Sequence, residues 1–161
     1  KMQFLFANNN AVAICRNVVD TVEKIKQTSA SVLFQTSLEN LEIYTDEARL
    51  QQLLINLLIN ATKFTTEGSI TLSLEKQSEE VALFAVSDTG CGIAPEKQGT
   101  IFNRFEKLNE NAQGSGLGLS ICQLIVERFG GKIWIDPEYK NGSRFLFTHP
   151  IASTGRKEVS E

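Results

Sequence analysis

The order in which apolar patterns follow one another along the chain constrains its fold most strongly. Apolar residues recur at helical spacing over residues 11–27, 47–64 and 117–129, while β-branched and aromatic runs lie between them in pairs. Paired strands favour a two-layer α/β sandwich, of the α+β kind, over a doubly wound parallel sheet. We therefore predict a mixed sheet of about five strands with the helices on one face. The predicted strands are residues 31–36, 41–45, 69–76, 81–87, 132–136 and 143–147.

Composition excludes several classes of function. The 161 residues are 42% apolar and 22% charged, which fits one globular domain. A net charge of −3 with scattered basic residues predicts no nucleic-acid partner, and the apolar run over residues 53–59 is too short to insert in a membrane. Cys15, Cys91 and Cys122 have unrelated spacings, which argues against a disulfide framework and indicates a cytoplasmic location.

The second predicted helix carries a polar stripe. Residues four and seven apart lie within about 40° of each other on a helix, so Asn56, Asn60 and Lys63 share one stripe with Arg49 and Gln52. This stripe is either the solvated side of an amphipathic helix or part of a site. Asparagine is a poor former of helix interiors, which favours a site. An amide oxygen can bind Mg²⁺ there, and Lys63 can neutralise a phosphate oxygen.

A carboxylate followed by two glycines comes directly after the strand at 81–87, in the sequence Asp88-Thr-Gly-Cys-Gly-Ile93. Asp-Thr-Gly is ordinary turn chemistry, so a simple turn is one interpretation. In the other, the acceptor-only carboxylate of Asp88 receives a hydrogen bond from the exocyclic amine of adenine, which guanine does not offer at that edge. Gly90 and Gly92 then let the backbone approach the base without a Cβ in the way.

A second glycine-rich turn, with Gly114, Gly116 and Gly118, precedes the third predicted helix. Its backbone N–H groups and the helix N-terminus can form an anion site, or the turn is a plain hinge or cap. It is neither a Walker loop, since no Gly-Lys-Ser/Thr follows, nor the dinucleotide fingerprint. Residues 102–107, between the two glycine turns, form either a short surface helix or part of a lid that closes over a nucleotide.

Together these motifs resemble the catalytic and ATP-binding domain of sensor histidine kinases, within the wider GHKL group that includes gyrase, the Hsp90 chaperones and MutL. The resemblance covers roughly residues 12–151. It implies a Bergerat-type fold with a flexible ATP lid. It also implies a connector from absent dimerisation helices at 1–10, the catalytic domain at 11–152 and a tail or linker at 153–161. The stretches similar to the N box, first glycine box, F box and second glycine box are residues 56–64, 88–93, 102–105 and 114–120.

The resemblance also implies a role for individual residues. It makes Asn60 the Mg²⁺ ligand and Asp88 the residue that selects adenine, and it places Arg104 or Lys107 at the γ-phosphate. The implied catalytic residues are Asn56, Asn60, Lys63, Arg104 and Lys107. The implied cofactor-binding residues are Asp88, Gly90, Gly92, Ile93, Gly114, Ser115, Gly116, Leu117, Gly118 and Leu119.

The implied activity is transfer of the γ-phosphoryl group of Mg·ATP to a histidine, with the protein supplying position and charge. His149 is the only histidine and lacks an acceptor motif, so we interpret it as structural. The implied partners are ATP, a dimerisation and histidine phosphotransfer domain of the same protein, and a response regulator or receiver domain.

Two other functions stay open. One is a GHKL-type ATPase fragment, although ATPases of the group carry a water-activating glutamate where this chain has Asn56, so efficient hydrolysis is not expected. The other is a non-catalytic nucleotide-sensing module.

Overall fold

The computed structural model of the chain describes residues 2–98, 101–102 and 116–151. The strands in these ranges are β1 (Ala7–Asn10), β2 (Ser31–Thr36), β3 (Glu42–Thr45), β4 (Ser69–Ser78), β5 (Val81–Asp88), β6 (Ile133–Ile135) and β7 (Arg144–Pro150). The helices are α1 (Ala11–Ile25), α2 (Glu47–Phe64), the short α3 (Pro95–Gln98) and α4 (Gly116–Phe129). None of these helices is long and apolar enough to span a membrane.

Five strands form one mixed sheet in the order β2-β4-β5-β7-β6. The pairing of β2 with β4 is parallel and the other pairings are antiparallel. Side chains alternate along each strand, so that Ile70, Leu72 and Leu74 of β4 are fully buried while Thr71 and Ser73 are partly exposed. This arrangement confirms the predicted mixed sheet in a two-layer sandwich.

Helices α1, α2 and α4 cover the apolar face of the sheet and form one core with it. The rings of Phe84 and Phe147 stack at the centre, with their centroids 4.6 Å apart. His149 is fully buried beside them, with Nε2 2.9 Å from the Thr45 hydroxyl and its ring centroid 4.6 Å from that of Phe129. This burial supports the structural role predicted for His149.

The helix boundaries follow local signals that the sequence displays. Asp46 caps α2, because its Oδ1 accepts a hydrogen bond of 2.9 Å from the Arg49 amide. Helix α4 ends before Gly130, whose φ of 93° lies in the left-handed region. The amide of Gly130 donates to the Glu127 carbonyl and that of Gly131 to the Val126 carbonyl, both at 3.0 Å. The predicted glycine stop after the third helix is therefore confirmed.

A second, two-stranded sheet was absent from the sequence prediction. Strand β1 pairs antiparallel with β3, so the predicted strand at 41–45 pairs outside the main sheet. Asn10, the last residue of β1, also caps α1, and its Oδ1 accepts 3.1 Å hydrogen bonds from the Val12 and Leu41 amides. Asparagine has low strand propensity, and β1 is stabilised by a partner more than 30 residues away, so the local pattern at residues 7–10 gave no strand signal.

The predicted lid is described only at its first residues. Residues 95–98 form the helical turn α3, and Ile101 is fully buried in the core. The ring of Phe102 meets that of Phe145 edge-on, with the centroids 5.9 Å apart. The rest of the predicted lid, with Arg104, Lys107, Gly114 and Ser115, lies outside the described residues, as does the tail at 153–161.

Candidate functional site

The carboxylate of Asp88 is the most enclosed polar side chain among the implied site residues that the structure describes, with 3% of the residue exposed. Its Oδ1 accepts hydrogen bonds from the amides of Gly90 at 2.9 Å and Ser143 at 3.1 Å, and its Oδ2 accepts one from the Ser143 hydroxyl at 2.8 Å. A carboxylate has about four acceptor positions, so one position on Oδ2 is left for another donor. The hydrogen bond from the Gly90 amide is typical of a simple turn. The two bonds from Ser143, however, join the carboxylate to the start of β7, more than 50 residues later in the chain.

The connection between β6 and β7 packs against Asp88. The sequence did not predict this contact. A Cβ on Gly142 would lie 2.1 Å from the Asp88 carbonyl oxygen, so only glycine fits there. The Tyr139 hydroxyl donates to that same oxygen at 3.1 Å. The Arg144 guanidinium lies over the Tyr139 ring, 5.1 Å from its centroid. The only sequence signal for this support is an Asn-Gly-Ser turn, which identifies a turn but not what it contacts.

The first glycine turn packs against the end of α2. A Cβ on Gly90 would lie 2.1 Å from the Phe64 carbonyl oxygen and 2.7 Å from Oγ1 of Thr65. Gly92 has a φ of 76°, which disfavours any side chain. The structure thus gives each glycine a packing or conformational reason, and their predicted approach to a base stays a prediction. Oγ1 of Thr65 is buried and has no hydrogen-bond partner within the described ranges, which leaves a polar atom for a ligand or water beside this turn.

Helix α2 and the first glycine turn line one cleft of about 460 Å³. Its lining residues are Lys63, Phe64, Thr66, Glu67, Thr89, Gly90 and Cys91. A larger groove of about 690 Å³, between the end of α1 and α2, shares only Lys63 with the predicted site residues. We therefore place the candidate site beside the smaller cleft, where two of the sequence motifs meet. Lys63 and Gly90 line this cleft, whereas Asn56, Asn60 and Asp88 do not.

Asn56 and Asn60 are half-buried on α2, while Lys63 is exposed. The Asn56 side chain interacts with the thiol of Cys122 on α4 and lowers its pKa. Burial raises the pKa of Cys122 to about 12, and the interaction with Asn56 opposes that rise by a smaller amount, so the thiol stays neutral. The side chains of Asn60 and Lys63 have no hydrogen bond or ion pair to another described residue. No described residue therefore occupies their polar atoms.

The second glycine turn enters the described structure at the start of α4. Gly116 and Gly118 belong to the first turn of this helix, and no atom lies within 4 Å of a Cβ placed on Gly118. Leu119 is buried in the core, and Ile93 packs against the same core. Two of the three apolar residues of the implied cofactor set, Ile93 and Leu119, thus contribute to packing, and the open space lies beside Gly118.

These residues fit an adenine nucleotide. The base end offers a free acceptor position on Asp88 and the orphan hydroxyl of Thr65. The described residues contain no cluster of three His, Cys, Asp or Glu side chains that could hold a metal ion alone. Mg²⁺ can instead be bound by one amide oxygen, such as that of Asn60, together with phosphate oxygens of the nucleotide.

A family model provides the deciding comparison. The model described as "Histidine kinase-, DNA gyrase B-, and HSP90-like ATPase" matches residues 45–153. The chain belongs to this family. Within it, the chain is a histidine kinase-type ATP-binding domain of the GHKL group, as the relatives show.

Among the relatives is the adaptive-response sensory kinase SasA of Rippkaea orientalis, which is 34% identical over 142 residues and 86% of this chain. The chain spans 28% of the length of the SasA of Gloeothece citriformis and 36% of that from Rippkaea orientalis.

Solved structures agree with this assignment. The catalytic domain of histidine kinase ThkA superposes with a TM-score of 0.81 at 33% identity, over 93% of this chain and 100% of that one. ThkA in complex with the response regulator protein TrrA gives 0.76 at 33% identity, over 91% of this chain and 42% of that one. Full-length ShkA in complex with AMPPNP gives 0.83 at 28% identity, over 95% of this chain and 32% of that one.

Proposed function

We propose that this domain binds Mg·ATP and transfers the γ-phosphoryl group to a histidine on a dimerisation domain, as part of a two-component signalling protein. The observation that carries the proposal is the buried Asp88 carboxylate, which three donors hold in place. It directly precedes the first glycine turn, which lines a cleft together with the end of α2. Membership of the family and the likeness to ShkA, whose structure contains AMPPNP, support the same conclusion.

At the base end, the free position on Oδ2 of Asp88 accepts a hydrogen bond from the 6-amino group of adenine. The Ser143 hydroxyl, 2.8 Å from the same oxygen, fixes the direction in which that position points. Guanine presents a carbonyl oxygen at this edge, so two acceptors would face each other in a water-poor site. The site therefore prefers adenine to guanine.

At the phosphate end, Asn60 supplies an amide oxygen for Mg²⁺, and Asn56 and Lys63 approach the phosphates from the same face of α2. The amides in the first turn of α4 add a positive helix end. Bound Mg²⁺ neutralises charge that develops on the phosphoryl oxygens. Arg104 and Lys107 remain the candidate cations for the γ-phosphate, as predictions from the sequence.

The acceptor histidine belongs to another part of the protein in this proposal. His149 is fully buried against Phe129 and Thr45, so its imidazole has no access to a nucleotide in the cleft. We therefore propose a dimerisation and histidine phosphotransfer domain as the acceptor, and a response regulator or receiver domain as the next partner. The complex of ThkA with TrrA supports the second partner. Three free cysteines support a cytoplasmic location.

Calorimetric titration of the chain with Mg·ATP and Mg·GTP tests the binding step. We expect Mg·ATP to bind at least about 30-fold more tightly, the size of one hydrogen bond to a charged group. Equal affinities would contradict the adenine assignment, and no binding of either nucleotide would contradict the proposed function.

Labelled ATP added with the dimerisation helices of the same protein tests the transfer step. We expect phosphate on their histidine and slow release of free phosphate. An unlabelled histidine would favour the nucleotide-sensing alternative, and rapid phosphate release would favour the ATPase alternative.

A further inference from the structure

The segment at residues 2–6 crosses two helices at the ends farthest from the candidate site. The guanidinium carbon of Arg49, in the first turn of α2, lies 5.5 Å from the ring centroid of Phe4. That of Arg128, in the last turn of α4, lies 4.5 Å from the same centroid. Phe129 of α4 also meets the Phe4 ring edge-on, with the centroids 5.6 Å apart. One half-buried ring thus contacts both helices.

Backbone hydrogen bonds hold this segment in place. The Leu5 amide donates to Oδ2 of Asp46 at 2.6 Å, while Oδ1 of the same carboxylate caps α2. The Arg49 Nε donates to the Gln3 carbonyl at 3.1 Å, and Arg128 donates to the Met2 carbonyl at 3.5 Å. The Asp46 carboxylate and the Arg49 guanidinium therefore both join the segment to the start of α2.

The two contacted helices are the ones that carry the candidate site. Helix α2 presents Asn56 and Asn60, and α4 begins in the second glycine turn. The two helices also pack against each other within the same core. Asn60 lies about 20 Å along α2 from Asp46, since a helix rises about 1.5 Å per residue. A packed helix moves as a unit over this distance, so the spacing at one end constrains the cleft at the other.

We propose that Phe4 is a positioning residue, whose ring between α2 and α4 sets the spacing of the two helices and with it the geometry of the nucleotide cleft. This inference rests on the proposed function. Coupling between two sites is reciprocal, so bound nucleotide also tightens the docking of residues 2–6.

The test compares Phe4→Ala with Leu5→Ala in the full chain. Leu5 is the matched control because its side chain is 85% exposed and the substitution keeps its amide bond to Asp46. We expect Phe4→Ala to weaken Mg·ATP binding about fivefold in calorimetry, the lower end of usual coupling between distant sites, and Leu5→Ala to leave it unchanged. We also expect Mg·ATP to slow hydrogen exchange of the Leu5 amide in the unaltered chain and not in Phe4→Ala.

A purely structural role for Phe4 predicts a different result. It would lower the melting temperature of Phe4→Ala, leave the Kd for Mg·ATP within a factor of about two, and leave the exchange response intact, which would overturn the inference. Failure of the unaltered chain to bind Mg·ATP would instead overturn the proposed function, and the inference with it.

Asp46→Asn serves as a second variant if Phe4→Ala does not fold. Asparagine caps helices well, but the Leu5 and Arg49 amides bond different oxygens of Asp46. The substitution replaces one of these oxygens with an NH2 group, which cannot accept, so the variant keeps the Arg49 cap and loses the Leu5 bond. We expect that Mg·ATP no longer slows hydrogen exchange of the Leu5 amide in this variant, and that the affinity for Mg·ATP falls. Unchanged affinity and exchange would overturn the inference.

Discussion

The two halves of the proposed nucleotide site are built differently. At the proposed base end, Asp88 is buried and accepts three hydrogen bonds, two of them from Ser143, which directly precedes the neighbouring strand β7. At the phosphate end, Asn60 and Lys63 project from α2 without a hydrogen bond or ion pair to any residue that the structure describes. One end is prearranged and the other is open.

This difference matches the chemistry of the two halves of a nucleotide. A neutral base is distinguished only by the direction of its donors and acceptors, so its partner must be fixed before binding. A triphosphate carries its own charge and its own metal ion, and can complete a loosely ordered set of polar side chains when it arrives. Variants at the two ends should therefore fail in different ways.

Asp88→Asn is expected to have the largest effect. The variant loses the charge that accepts the adenine amine, and its affinity for Mg·ATP should fall by about 30-fold or more. Its melting temperature should change little, since asparagine can keep the bonds to Gly90 and Ser143 with one side chain reoriented. Calorimetry beside a thermal melt measures both quantities. Unchanged affinity would refute the adenine assignment.

Asn60→Ala should affect the other end. Mg²⁺ is expected to raise the affinity of the unaltered chain for ATP by about tenfold and to promote phosphoryl transfer. Removal of the amide oxygen should abolish both gains, because the metal loses its protein ligand. Titration with ATP in Mg²⁺ and in chelator measures this gain. Asp88→Asn is the matched control, because it should weaken both titrations equally. A metal-dependent gain that survives in Asn60→Ala would show that the cation lies elsewhere.

Ser143→Ala tests whether the base end is prearranged by its neighbour. Loss of the hydroxyl leaves Oδ2 of Asp88 with one donor fewer, so we expect about fivefold weaker binding of Mg·ATP. Ser73→Ala is the control, since Ser73 lies on the outer face of β4 and loses the same atom. Equal effects of the two substitutions on affinity would show that Ser143 does not orient the carboxylate.

The smallest expected effect is a change in the rate of cysteine labelling, which tests whether the nucleotide binds at the cleft. Cys91 is exposed and lines the cleft, while Cys15 and Cys122 are buried. Burial raises the pKa of Cys122 to about 12, so its thiol is protonated at a neutral labelling pH. Mass spectrometry after iodoacetamide treatment should find modified Cys91 alone, and Mg·ATP should slow the reaction. Labelling of Cys91 that ignores saturating Mg·ATP would place the nucleotide elsewhere.

The fold was largely predictable because its signals are local. The amphipathic spacing, the Asp46 cap and the stop at Gly130 each depend on residues within a few positions of one another, and they gave the helices that the structure shows. Strand β1 depends instead on pairing with β3, and its asparagines carry no strand signal. The domain boundaries at residues 10 and 152 stay predictions.

The site was predictable in its motifs and not in its supports. Asp88, Gly90 and Lys63 stand out in the sequence, and the structure brings their segments to one cleft. The sequence did not indicate the residues that support Asp88, which are Tyr139, Gly142 and Ser143. They lie in an ordinary turn more than 50 residues after Asp88. Nothing in their own neighbourhood indicates that they contact a carboxylate.

The sequence by itself therefore determined most of the elements, the family and the candidate groups for binding a nucleotide. These properties follow from periodicity, from turn chemistry and from residue types at fixed spacing, all of which are local. Only the tertiary structure decided which groups hold Asp88 in place, that Asn56 contacts Cys122, and that Phe4 lies between two helix ends. Contacts between residues far apart in the chain depend on how layers pack, and one sequence contains no local record of that packing.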